Sequence, residues 1–213
     1  MPTVGRSTPV YVMMIEIPYS QWQSVSIAEV TQLFADAPFT WGLAGGYAVE
    51  QFLGTSLREH SDLDVVVYRD EQLQVQHWLA GWNLYAADPP GTLRPWIIGE
   101  HLPYGIHDIW GHRMGAQAWQ LQVMLAEVEG EEWFSRRNPL IRGQREDLIV
   151  TYNGIPCVRI EVQLLYKARS SRPKDEHDFQ ACLPLMSTSA KQWLANHLQR
   201  LYPEGHAWID SLS

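Results

Sequence analysis

Residues 43–68 read LAGGYAVEQFLGTSLREHSDLDVVVY. Gly45 and Gly46 close a short apolar run. Ala48, Val49, Phe52 and Leu53 then recur at helical spacing, and Gly54 is placed to cap the helix in a left-handed conformation. LDVVVY, residues 63–68, is β-branched and reads as a strand. Residues two apart on a strand share a face, so Asp62 and Asp64 aim two carboxylates at one spot while Leu63 and Val65 turn away. Such carboxylates either share a proton or bind a cation. A hard divalent ion takes oxygen ligands and is commonly held by one or two carboxylates together with substrate phosphates. Glycines at a strand-to-helix turn leave backbone N–H groups and the helix N-terminus open to an anion. A lone D-x-D is usually a capping or solvated pair, and a lone Gly-Gly is usually a turn. The specific feature is their order, strand, Gly-Gly, helix, loop, D-x-D strand, which sets a metal site beside a phosphate cradle as nucleotidyl transfer requires.

Outward from this stretch, SIAEVTQLFADA (26–37) reads as a helix capped by Ser26 and stopped by Pro38, and FTWGLAGG (39–46) as a short strand running into a turn. EQLQVQHWLA (71–80) is a further helix, whereas ADPPGTLRPW (87–96) holds too many breakers for regular structure. IHDIWGH (106–112) and AWQLQVMLAEV (118–128) predict an antiparallel pair, and Asn153-Gly154 marks a hairpin turn inside LIVTYNGIPCV (148–158). From Ile160 the pattern becomes helical, with Pro173 at a helix start and Pro203 at a helix end. The expected organisation is a strand-rich body over 1–155, its first 24 residues an N-terminal extension, followed by a helical portion over 156–213.

The composition, 46% hydrophobic and 19% charged over 213 residues, is that of one globular domain or one domain with a small appendage. No segment is apolar for long enough to span a bilayer, and the N-terminus has no cleavage pattern, so a cytoplasmic protein without a membrane partner is expected. Cys157 and Cys182 lack metal or disulfide spacing and read as buried thiols. A net charge of −8 argues against wrapping a nucleic-acid backbone. The ten tryptophans read chiefly as packing residues. A zinc hydrolase is a poor fit without H-E-x-x-H or clustered Cys and His, and neither a Walker lysine loop nor G-x-S-x-G is present.

The pattern of Gly45-Gly46 followed by Asp62-x-Asp64 resembles the DNA polymerase β-like nucleotidyltransferase superfamily. Its longer form, WGLAGGYAV (41–49) with GTSLREHSDLDV (54–65), looks like the aminoglycoside 2''-adenylyltransferase and lincosamide nucleotidyltransferase branch. EVQLLYKARSSRPKDEHDF (161–179) matches a pattern among relatives of that branch. The resemblance implies an α/β (α+β) nucleotidyltransferase fold, a mixed and mostly antiparallel sheet flanked by helices with a C-terminal helical portion. It also implies Mg²⁺ (or Mn²⁺), ATP or another nucleoside triphosphate, and transfer of AMP to a hydroxyl of a small-molecule acceptor such as an aminoglycoside or lincosamide. Carried over, Asp62 and Asp64 would hold the metal, Gly45 and Gly46 would contact phosphate, and Arg58, Lys167 and Lys174 would supply cations, Lys being suited as a flexible point charge. Arg58 reads equally well as an exposed loop charge. Asp175 and Glu176 read as acids favouring a helix N-terminus.

Members of the superfamily that do chemistry place a third carboxylate on a neighbouring strand, and here Gln122 fills that slot. An amide takes no proton from a hydroxyl at neutral pH and is a weaker Mg²⁺ ligand. Asp108, between Ile106 and Trp110 on one strand face, is the leading substitute, with an edge-strand residue facing water as its bland alternative. Glu127 and Glu161 are weaker candidates. His60 lies in the key loop, and His107 should face away from Asp108, on the opposite side of the strand. Two rival readings stay open: a nucleotide-binding protein that has lost its base, and an antitoxin-like interaction partner.

Overall fold

The computed structural model describes residues 17–170 and 172–212, so most of the expected N-terminal extension lies outside it. In chain order the elements are α1 (Ile27–Leu33), β1 (Trp41–Leu43), α2 (Gly45–Leu53), β2 (Asp64–Tyr68), α3 (Gln72–Trp78), β3 (Trp82–Ala87), β4 (Leu93–Pro95), β5 (Asp108–Arg113), β6 (Leu121–Glu129), β7 (Glu132–Ser135), β8 (Asn138–Gln144), β9 (Ile149–Tyr152), β10 (Ile155–Val158), α4 (Ile160–Lys167), α5 (Pro173–Cys182) and α6 (Thr188–Leu201). The strands form one ten-stranded sheet in the order β4-β3-β5-β6-β2-β1-β10-β9, with β7 and β8 as a hairpin leaving β6. Among these pairings β2 with β6 and β1 with β10 are parallel, and the rest are antiparallel. The expected mixed, mostly antiparallel sheet flanked by helices is the observed one.

Local chemistry sets the boundaries. Ser26 and Glu29 form a reciprocal capping box at the start of α1. Gly54 ends α2 at φ 72°. Asn153 and Gly154, at φ 52° and 80°, turn β9 into β10 as their sequence predicts. Along β2 the valines alternate. Val65 and Val67 join Val30, Phe34, Val75 and Leu79 of α1 and α3, with their flanking residues, in one core. Val66 and Tyr68 join Leu164, Phe179, Leu194 and Leu198 of α4, α5 and α6 in a second. The sheet thus separates two apolar layers.

Three expectations need correction. Strand β4 lies inside the breaker-rich stretch, where Leu93–Pro95 pair with β3 at the sheet edge, a place where Pro95 needs no ladder N–H on its open side. The expected boundary at 155 cuts β10, which pairs with β1 at Leu43 and Cys157, so the sheet runs through Val158 and the helices of the tail share its core. The hairpin of β7 and β8 has no counterpart among the expected elements, because Pro139 and two adjacent arginines interrupt its alternation. Both cysteines are buried, and burial pushes each thiol up to about 12. No described helix is long and apolar enough to cross a membrane.

Candidate active site

The expected residues Asp62, Asp64, Gly45, Gly46, Arg58, Lys167 and Lys174 line one cleft of about 260 Å³ between the sheet and the tail helices. Asp62 precedes β2 rather than lying on it, yet both carboxylates reach the cleft because fully buried Leu63 anchors the chain between them. Asp64 has no salt-bridge partner among the described residues. Burial, followed by the charge of Asp62, pushes its carboxyl up to about 7, against a smaller pull from Lys167. Two carboxylates in this state form a donor set that suits a divalent cation. Among the described residues no group of three or more His, Cys, Asp or Glu side chains forms a metal cluster, so the remaining ligands would come from substrate phosphates and water, as Mg²⁺ prefers.

The glycine pair does more than the sequence implies. Gly45 has φ 64°, and a Cβ there would fall 2.1 Å from Asp64 Oδ2. A Cβ on Gly46 would fall 2.1 Å from the His60 ring and 2.8 Å from Arg58 Nη2. The glycines therefore make room for the Asp64 carboxylate and for the loop that carries Arg58. The Gly45 N–H donates to Gln163 Oε1 of α4 at 2.9 Å, so this amide is engaged within the fold rather than turned to an anion. The Arg58 loop is tied down by Glu50, whose Oε1 accepts from the Leu57 and Arg58 N–H groups at 2.7 and 3.1 Å and lies 2.9 Å from His60 Nε2. Burial opposes ionisation of Glu50, but these bonds outweigh it and hold its carboxyl below the usual range.

Behind the loop sits a buried ionic cluster. Arg58 reaches Asp178 through Nε and Nη2 at 3.0 and 3.1 Å. Lys167 Nζ lies 2.8 Å from Asp178 and 3.6 Å from Asp175, and Arg172 Nε lies 2.7 Å from Asp175. Asp175 and Asp178 are fully buried, so Asp175 is a structural anchor rather than only a helix-dipole partner. Asp178 is absent from the residues expected at the site. Its signal in the sequence is an acid three residues from another on a helix face that also carries Phe179 and Cys182. Arg58 and Lys167 thus reach the cleft already paired, whereas exposed Lys174 has no salt-bridge partner among the described residues.

Gln122 stands where the third carboxylate was expected. It pairs in register with Asp64 across β2 and β6. Its amide Nε2 donates to Asp108 Oδ1 at 3.2 Å on the next strand, making a row Asp64, Gln122, Asp108 on one sheet face. Burial raises the Asp108 carboxyl, and the bond from Gln122 offsets part of the rise. His107 does not point away as expected. It precedes β5, its Nε2 lies 3.1 Å from Asp108 Oδ2, and it, rather than Asp108, lines the cleft. The weaker candidates are committed elsewhere: Glu127 chelates Arg69 at 2.5 and 2.6 Å, and Glu161 holds Arg159. Among the described residues no tryptophan lines the cleft, whose aromatic rings are those of Tyr166, His60 and His107.

Residues 13–91 match the family described as phosphoribosyl-dephospho-CoA transferase MdcG C-terminal domain, which is less than half of the chain. No curated protein matches the sequence. The antibiotic-resistance factor ANT(2'')-Ia in solution shares the architecture at 16% identity and TM-score 0.52, over 84% of this chain and 92% of that one. The lincosamide antibiotic adenylyltransferase LnuA, lincomycin-bound, does so at 19% identity and 0.52, over 77% of this chain and 100% of that one. ANT(2'')-Ia in complex with adenylyl-2''-tobramycin aligns at 17% and 0.51, over 82% and 95%. The fold is that of the nucleotidyltransferases. Within the nucleotidyltransferase fold, the structure adds to the expected residues a pair from the β7–β8 turn, Arg136 and Arg137, which line the same cleft.

Proposed function

We propose that the protein is a Mg²⁺-dependent nucleotidyltransferase that moves a nucleoside monophosphate, AMP from ATP in the first instance, to a hydroxyl of a small molecule. The observation that carries this reading is Asp62 and Asp64, without salt-bridge partners among the described residues and facing a cleft rimmed by Lys174, Arg58 and the N-terminus of α2. A divalent ion held there would neutralise phosphate charge and align it for in-line attack. The chain's own parts do the remainder. Burial and the neighbouring Asp62 outweigh the pull of Lys167 and Lys174 on Asp64, so a bound cation would shift it toward its ionised form. Gly45 leaves the space that its carboxylate occupies. The Arg58–Asp178–Lys167 cluster fixes positive charge beside it at a set distance, so little reorganisation is needed when phosphate binds.

Asp108, held by Gln122 and joined to His107, is the group we assign as base for the acceptor hydroxyl, with His107 at the cleft wall as the relay. Purified protein incubated with Mg²⁺, each nucleoside triphosphate and a panel of hydroxylated acceptors should yield pyrophosphate and a nucleotidyl adduct detectable by mass spectrometry. Asp64→Asn should yield neither. Asp108→Asn should lose turnover by roughly a hundredfold or more while binding nucleotide as wild type does. Tobramycin and lincomycin, the compounds named for the similar structures, belong on the panel. So does a dephospho-CoA-type nucleotide as donor, given the family matched by residues 13–91. The second reading, a nucleotide binder without turnover, is favoured by Gln122 in the acid's slot. It predicts nucleotide-dependent stabilisation with no pyrophosphate released from any combination.

A further inference from the structure

Charge in the cleft divides unevenly. Arg58, Lys167 and Arg172 are matched by Asp175 and Asp178, and Glu127 by Arg69. Arg136 and Arg137 have no carboxylate partner among the described residues, although both are partly buried. Arg137 holds the fold through its Nη1, which donates to the Tyr166 and Leu165 carbonyls at 2.8 and 3.4 Å and closes the end of α4, and its guanidinium lies 5.3 Å from the Tyr166 ring centre. Its Nε is buried and has no hydrogen-bond partner. Arg136 makes no side-chain hydrogen bond among the described residues. Burial lowers both guanidinium groups from their ordinary value, and Arg169 adds repulsion. Buried charges are as a rule paired, so a desolvated arginine pair facing a cleft marks the place of a missing anion.

The hairpin puts that place within reach of the aspartates. Phe134 pairs with Glu127 at the end of the β6–β7 ladder, and Arg136, in the turn that follows, lines the same cleft as Asp62 and Asp64. Arginine forks suit phosphate oxygens in two-point contact.

We propose that Arg136, with Arg137 behind it, forms a second anion subsite of the cleft and binds a phosphate group of the substrate. This rests on the nucleotidyl-transfer reading and narrows it: the substrates are phosphate-rich, and a polycation such as an aminoglycoside is disfavoured beside two uncompensated arginines. The phosphate has two sources, the terminal phosphates of a triphosphate donor, or a phosphate elsewhere on donor or acceptor.

The test is calorimetric titration of the full chain with ATP, AMP, coenzyme A and 3'-dephospho-coenzyme A, each with Mg²⁺. Arg136→Ala is the informative variant, since Arg136 makes no bond that holds the fold, and Arg136→Lys is the partial rescue. We expect Arg136→Ala to lose at least tenfold affinity for one or more probes, with Arg136→Lys intermediate and the melting temperature unchanged. Loss for ATP with AMP unchanged assigns the terminal phosphates. Loss for coenzyme A with its 3'-dephospho form unchanged assigns a phosphate away from them, and equal loss for every probe assigns the phosphate they share. Wild-type affinity for all four probes in Arg136→Ala, or no binding of any probe by the wild type, overturns the subsite. Failure of the broader reading shows separately, as Asp64→Asn binding every probe like wild type while Arg136→Ala does not.

Discussion

The protein carries two close pairs of aspartates, and their environments are opposite. Asp62 and Asp64 face the cleft without salt-bridge partners among the described residues, and Asp64 is pushed up to about 7. Asp175 and Asp178, on α5, are buried among Arg58, Lys167 and Arg172, and those bonds hold Asp178 below its ordinary value despite burial. One pair faces the cleft without cations of its own in contact; the other is tied into the fold by cations the chain supplies. Residue type and spacing are nearly the same, so it is the partners that leave one pair open to the cleft and make the other part of the scaffold.

The largest expected effect tests the scaffold. Asp178→Ala leaves Arg58 without its anion and Lys167 with only the longer contact to Asp175, and urea unfolding should show a loss of about 3–5 kcal/mol. Next comes Gly45→Ala, which forces a side chain into both a positive φ and the space of Asp64 Oδ2. It should lose more than ~1 kcal/mol and lose Mg²⁺-dependent nucleotide binding, read by thermal shift. Gly54→Ala has the same sign of φ but open surroundings, and should keep that binding.

Opposite shifts predict opposite pH behaviour. For Asp64, the unfolded chain releases its proton near the ordinary value of 3.8 while the folded protein keeps it until about 7. Stability from this group therefore declines as pH rises through that window and is flat above it. For Asp178 the folded value is depressed, so its contribution is present above the unfolded pKa and is lost as pH falls below it. Without divalent ions at pH 8, Asp64→Asn should exceed wild type by on the order of 2 kcal/mol, with the gap closing toward pH 4. A deficit instead of a gain there would show that Asp64 is already paired. The smallest effect belongs to Lys174→Ala, an exposed residue. Its stability should stay within about 0.5 kcal/mol of wild type while nucleotide affinity falls, whereas loss of the buried Lys167 should unfold the tail helices.

The order of glycines, helix and aspartates was legible in the sequence because each signal is local: turn chemistry, a 3.6-residue stripe, a β-branched run. The same holds for the Asn153-Gly154 hairpin. Partners more than a hundred residues apart were not legible. Nothing in residues 43–68 announces that the Gly45 N–H goes to Gln163 or that Arg58 goes to Asp178. Arg136 escapes sequence reasoning for a different reason. Its hairpin has weak alternation, so the element that delivers it to the cleft has no pattern to read. The expected orientation of His107 fails because strand alternation does not extend to it, one residue before the start of β5.

The long-range closure of the site has a consequence for biosynthesis. Strand β1 gains its second neighbour only when β10 emerges, and the Arg58 loop gains its anchor only with Asp178. A ribosome-bound chain that already displays Gly45-Gly46 and Asp62-x-Asp64 therefore has no assembled cleft until Asp178, 120 residues beyond Arg58, has been translated. The motif is made early, and the cleft late.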